Sequence, residues 1–161
     1  MSIYTANEIH LINRPSGLPS HSDVEQVQRE LEPPASGQVL ISNLYMSVDP
    51  YMRGRMRENA VYAQAYQLNK PMYGGAIGEV IESNSDRVKA GDIVLNQGAW
   101  RDRLVADDSN VTVLQPFDND RVSLYLGTLG MPGLTAYDGL QKFGEPKAGE
   151  TVFVSAASGA V

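Results

Sequence analysis

The sequence predicts a mainly β domain followed by the opening helices and strand of an α/β domain. Short apolar runs bounded by Gly, Pro or Ser recur at intervals of roughly 8–12 residues through the first two thirds of the chain. The apolar spacing then changes from alternation to a period of about 3.6 near residue 118. Finally, the chain closes on ETVFVSAASGAV, an apolar run leading into a small-residue turn, which is how a buried parallel strand passes into a helix.

Residues 8–13 (EIHLIN) and 38–44 (QVLISNL) read as strands because apolar residues alternate or run together between turn formers. Between them, HSDVEQVQRELEPPASG fits a helix by spacing, but its polarity and Pro33-Pro34 suit an exposed strand or loop equally well, and both stay open. Residues 74–82 (GGAIGEVIE), 92–96 (DIVLN), 100–106 and 110–114 complete the β set, and the expected architecture is an edge-closing barrel.

The pattern changes at Pro116. Residues 118–120 offer helix caps, and Val122, Tyr125, Leu126 and Leu129 follow at helical spacing. Pro132 ends that helix and begins another, whose inward side would carry Leu134, Tyr137 and Leu140 until Gly144 closes it. Residues 150–156 then read as a buried strand and 157–161 as the turn after it. The expected domains are 1–118 and 119–161.

The 161 residues are 42% hydrophobic and carry a net charge of −6. An acidic chain is a poor match for nucleic acid or an anionic membrane surface, both of which attract clustered positive charge. No cysteine is present and His10 and His21 are the only imidazoles, both expected at the surface. A structural zinc cluster is thereby excluded and a catalytic one lacks its ligands, so no metal is expected. The N-terminus shows no signal-peptide pattern and no stretch reaches membrane-spanning length, so a soluble cytoplasmic protein is expected.

Five segments in register carry a resemblance: SVDPYMRGRM (47–56), GGAIGEVIES (74–83), VKAGDIVL (88–95), LGMPGLTAYDGL (129–140) and KAGETVFVSAASGAV (147–161). Together they resemble the zinc-independent medium-chain dehydrogenases/reductases, of the NADPH-dependent double-bond reductase type that includes leukotriene B4 dehydrogenase, prostaglandin reductase and curcumin reductase. The resemblance implies a GroES-like, partly open β-barrel over 1–118, then the truncated start of an NADP-binding Rossmann domain over 119–161. In such enzymes the cofactor turn reads A-x-x-G-x-x-G. Ala156 and Gly159 fill its first two places, the last falls just beyond Val161, and the chain is accordingly expected to be the front part of a longer protein.

By the same resemblance, the chemistry is metal-free hydride reduction of the C=C bond of an α,β-unsaturated ketone or aldehyde, and the full-length protein is a homodimer. Tyr51 is the expected pocket donor, since a phenol stays protonated at neutral pH and offers both an aromatic wall and an O–H. Trp100 is expected to line the substrate pocket with it. Pro50, Met131, Thr135, Gly159, Ala160 and Val161 are the expected cofactor contacts. Arg53, Arg55 and Arg57 are expected in a solvated or salt-bridged loop. Two alternatives stay open: a quinone reductase of the same superfamily, and a stand-alone, non-catalytic GroES-like binding module.

Overall fold

The computed structural model describes residues 4–61, 63–115, 119–159 and 161. Its contacts divide the chain into two compact units, Met1–Pro116 and Phe117–Val161.

The first unit is built on antiparallel strands. β1 (Tyr4–Leu11) and β2 (Val24–Leu31) pair along their whole length, from Tyr4 opposite Leu31 to Leu11 opposite Val24. β3 (Gln38–Met46) leads into a short helix, α1 (Pro50–Arg55). β4 (Lys70–Pro71), β5 (Ala76–Ser83), β6 (Ile93–Asn96), β7 (Arg103–Asp107) and β8 (Thr112–Val113) follow. They form one sheet in the order β2-β1-β4 and a second in the order β7-β3-β5-β6-β8.

The ambiguous segment before β3 is therefore a strand. β2 is mostly exposed, as an edge strand would be, and Glu25, Arg29 and Glu30 along it discourage pairing with another chain. A closed barrel, expected from the strand spacing, is not formed by continuous ladders among the described residues. Instead, β1 reaches the second sheet through single contacts: Ile9 N–H donates to the Trp100 carbonyl at 2.8 Å, and Glu8 bridges Arg101. The physical reason lies at the short edges, where β4 and β8 each hold two residues and Pro71 has no N–H to give. The barrel is partly open.

Three apolar clusters fill it. Val39, Ile41, Val80, Val88, Val94 and Leu104 pack between the strands of the larger sheet. Ala6, Leu31 and Leu40 join the two sheets. Leu11, Met52, Met56, Tyr66 and Met72 form the third, which seats α1 against β1 and β4. The strand members sit at alternating or continuous apolar positions and the α1 members on one helix face, which is the sequence pattern converted into burial.

In the second unit, the helix expected from Val122 onward is a 3-10 segment, Asn119–Leu126, with non-helical dihedrals at Arg121. Asp118, one of the expected caps, lies outside the described residues. α2 (Met131–Asp138) begins at the Pro132 turn and continues as a π-helical stretch, Gly139–Gly144. Leu134, Tyr137 and Leu140, expected inward, are exposed, and residues 150–156 form no strand. Both departures have one cause: an apolar helix face or a parallel strand needs a neighbouring layer, and the described part of this unit supplies none. Phe153, at 89% exposure, is the extreme case.

Gly78 pairs with Asn43 where β3 and β5 lie close together, beside a register shift between residues 43 and 45. A Cβ there would lie 2.4 Å from Ile41 Cγ2 and 2.7 Å from the Ser42 carbonyl. Gly78→Ala is expected to destabilise the first unit by about 1–3 kcal/mol, as overpacked cores do. Urea unfolding checks it, and a variant as stable as the parent would contradict the packing described.

Candidate functional site

The site begins with the local sequence S-V-D-P-Y. Asp49 is extended (φ −108, ψ 148) and Pro50 sits in the first turn of α1, where its fixed φ suits a helix start and its missing N–H costs nothing. The Asp49 carboxylate does not cap the helix; it accepts from the Ser47 hydroxyl at 2.6 Å. One turn later, Tyr51 and Arg55 stand at i and i+4, on the same face.

That face opens onto a cavity of about 430 Å3. Pro50, Tyr51, Gly54 and Arg55 line one side, and Arg57, Asn59, Ala60, Val61 and Ala63 line the other. The chain entering β5 is kept clear of it by glycine. A Cβ on Gly74 would come 2.4 Å from Met52 Cε and 3.4 Å from the Tyr51 hydroxyl, so glycine there gives the phenol its space.

Arg55 corrects the expectation of a solvated arginine run. It is 7% exposed. Its guanidinium carbon lies 3.9 Å from the ring centroid of Tyr73, 4.4 Å from that of Tyr66 and 5.9 Å from that of Tyr51. Nε donates to the Gln64 carbonyl at 2.9 Å, and the Tyr66 N–H donates to the Arg55 carbonyl at 2.8 Å. Tyr66 in turn donates its hydroxyl to the Tyr73 carbonyl at 2.8 Å and meets the Tyr73 ring edge-on at 81°. Arg53 donates to the carbonyls of Pro15 and Gly17, whereas Arg57 stays exposed.

Burial pushes the Tyr51 phenol above its ordinary value, and the Asp49 carboxylate adds to the rise. The Arg55 cation opposes it, and Tyr73 contributes a small further rise. Burial thus favours the protonated phenol, whose ring centroid lies 5.9 Å from the Arg55 guanidinium carbon.

Trp100 lies elsewhere. It packs on the same cluster as Tyr51 but lines a second cavity, of about 400 Å3, with Asn43, Leu44, Tyr45 and Met46. Its backbone is left-handed (φ 63), a sparse region for a bulky residue. The flanking carbonyls are clamped: Asn43 Nδ2 donates to Gly98 O at 3.0 Å and to Arg101 O at 2.9 Å. The indole Nε1 is buried without a hydrogen-bond partner among the described residues. His10 is also not a free surface residue; its Nε2 lies 2.8 Å from the buried Glu8 carboxylate, while His21 is exposed.

Of the expected cofactor contacts, Pro50 lies on the Tyr51 cavity. In the second unit, Met131 and Thr135 share one face of α2, and the Thr135 hydroxyl donates to the Met131 carbonyl at 2.7 Å. Residues 156–159 make a turn closed by Gly159 N–H on the Ala156 carbonyl at 2.8 Å; Ala156 is left-handed (φ 60), and no side chain is larger than Ser. Such a turn leaves its backbone open to close approach by a ligand. Val161 is exposed, and Ala160 lies outside the described residues. No group of His, Cys, Asp or Glu that could hold a metal occurs among the described residues, and none of their helices is long and apolar enough to cross a membrane.

Tyr66, Tyr73 and the stacking of Arg55 were missed by sequence reasoning. The available signal was an arginine four residues beyond Tyr51 on a helix opened by Asp-Pro, followed by a tyrosine-rich stretch. Burial raises the Tyr66 phenol to about 12, Arg55 opposing. A folded-state pKa above the unfolded value of about 10 stabilises the fold while the phenol is protonated, and that contribution falls away as pH climbs from 10 towards 12. The loss is expected to approach 2–3 kcal/mol, about two pH units' worth. Urea unfolding across that interval should show it, and Tyr66→Phe should flatten the slope; an equal slope in both proteins would contradict the burial of this phenol.

Residues 7–114 match the family described as the N-terminal domain of oxidoreductase. The chain is 39% identical over 151 residues to the NADPH-dependent curcumin reductase of Escherichia coli (strain K12), covering 94% of itself and 44% of that protein. It is 40% identical over 159 residues to the NADP(+)-dependent 2-alkenal reductase of Nicotiana tabacum, covering 96% and 46%. The crystal structure of CurA in complex with NADPH from Vibrio vulnificus superposes with a TM-score of 0.85 at 35% identity, over 96% of this chain and 45% of that one. The chain thus spans about half the length of the relatives it matches. A partly open β unit, its Tyr51 helix and the match over residues 7–114 have one meaning: the chain belongs to the oxidoreductase family defined by this GroES-like N-terminal domain.

Proposed function

We propose that this chain is the substrate-binding part of an NADPH-dependent reductase that saturates the C=C bond of α,β-unsaturated ketones or aldehydes. The observation that carries the proposal is the protonated Tyr51 phenol facing a cavity walled by Pro50, Ala60, Val61 and Ala63. The likeness to reductases named for curcumin and 2-alkenals supports the substrate class.

A bound NADPH would supply the reducing hydride. The residues of this chain do the rest. The apolar wall takes the carbon skeleton, and the Tyr51 hydroxyl donates to the carbonyl oxygen. That oxygen gains negative charge as the β-carbon is reduced, so a donor aimed at it stabilises the transition state more than the ground state. The α-carbon of the resulting enolate then takes a proton from solvent water, and the carbonyl is restored. No metal enters this chemistry.

Trp100 is proposed as a second substrate-facing wall, through its own cavity. Pro50, Met131, Thr135, Gly159, Ala160 and Val161 are proposed as cofactor contacts, with residues 119–161 as the beginning of an NADP-binding Rossmann domain. A cytoplasmic homodimer belongs to the same proposal, on the strength of the resemblance.

The test is enone-dependent NADPH oxidation by the full-length protein that contains this chain, in parent and Tyr51→Phe forms. The substitution keeps the ring and removes one donor, so kcat/KM should fall about tenfold, equivalent to about 1.4 kcal/mol. Unchanged kcat/KM would reduce Tyr51 to a wall residue, and absence of enone reduction by the parent would end the proposal.

A further inference from the structure

Enone reduction at the Tyr51 cavity leaves the buried Arg55 without a task, and the role inferred for it rests on that reading. Arg55 is nearly inaccessible, yet among the described residues it has no carboxylate partner within ion-pair distance. Its stabilisation comes from the faces of Tyr73 and Tyr66 and from the Gln64 carbonyl. A cation placed so deeply without a counter-charge costs desolvation energy that stacking only partly offsets. The arrangement has a geometric effect: Arg55 joins α1, which carries Tyr51, to Gln64 and Tyr66, which follow Ala60, Val61 and Ala63 of the cavity lining.

We infer that Arg55 is the positioning residue of the Tyr51 donor, tying the helix that carries it through Gln64 and Tyr66 to the chain that follows the cavity's far wall. The chemistry follows from hydrogen-bond inventory. A guanidinium has five N–H donors and no acceptor, so the phenol cannot give its proton to Arg55 and can only receive from it. With Tyr51 and Arg55 on one helix face and both lining the cavity, the phenol keeps its proton for an acceptor bound there. Among the described residues, the charged and titratable groups around Tyr51 are Asp49 at the helix start, Arg55 and Arg57 on the cavity wall, and the Tyr66 and Tyr73 phenols. Of those acting on Tyr51, Asp49 and Tyr73 favour its protonated form and Arg55 opposes them.

The experiment compares parent, Arg55→Met and Arg55→Lys in the full-length protein, reading kcat and KM for an enone through the alkaline range. Arg55→Met should lower kcat on the order of tenfold with KM little changed, because donor orientation matters most as charge builds on the carbonyl oxygen. Its alkaline limb, where the phenol loses its proton, should move to higher pH, since the opposing cation is gone. Arg55→Lys should keep the limb where the parent has it. A residue that only stabilised the fold would lower the melting temperature and leave the limb in place, and that result would overturn the inference. If the parent reduces no enone, the proposed function fails but Arg55 is still tested. The Tyr51 phenolate absorbance of this 161-residue chain, isolated by subtracting Tyr51→Phe, should titrate higher in Arg55→Met than in the parent. An unmoved titration would overturn the inference there too.

Discussion

The Tyr51 side of the first unit depends on the burial of one guanidinium among three tyrosines. The Arg55 side chain ties the short α1 helix to the segment between it and β4. A six-residue helix is far below the length at which helices persist alone, so tertiary contacts must hold it. Met52 and Met56 insert into the apolar cluster from one side, and Arg55 stacks on Tyr66 and Tyr73 from the other. Those two attachments hold Tyr51 beside Ala60, Val61 and Ala63 on the cavity.

A second constraint works on the other side of the same cluster. Trp100 is left-handed, and such a conformation persists only where its surroundings fix it from several directions. Here β1 supplies Ile9 N–H to its carbonyl, Asn43 holds the carbonyls of Gly98 and Arg101, and Asn96 donates to Asn43 Oδ1 at 3.0 Å. Asn7 adds its backbone and side-chain N–H groups to Asp102 at 2.7 and 2.8 Å. Polar groups on β1, β3 and β6 thus converge on one turn, which explains how a barrel with incomplete ladders stays closed enough to frame two cavities.

The strands β1, β3, β5, β6 and β7 were legible because they bury alternating or continuous apolar residues between turn formers, and Ile41, Val80 and Val94 are fully buried as that pattern requires. β2 was ambiguous because an edge strand with polar residues on most positions carries no period-2 signal. α1 was illegible for another reason: six residues give too little helical period to register, and Asp49-Pro50 reads equally as a turn. The depth of Arg55 was hidden because its partners are aromatic faces rather than acids, so no charge pattern announces them. In the second unit the sequence speaks of a parallel strand at 150–156, but a strand is a property of a pair, and no partner for it stands among the described residues.

The central claim is that cation–π stacking of Arg55 holds α1 against the tyrosine pair. A double-mutant cycle between Arg55→Met and Tyr73→Leu, read as unfolding free energy, tests it most directly because it isolates the pairwise contribution from what each substitution does alone. A desolvated pair of this geometry should show a coupling of about 1–2 kcal/mol. Additive substitutions, with coupling indistinguishable from zero, would mean that Arg55 and Tyr73 merely share a neighbourhood and that something else positions Tyr51.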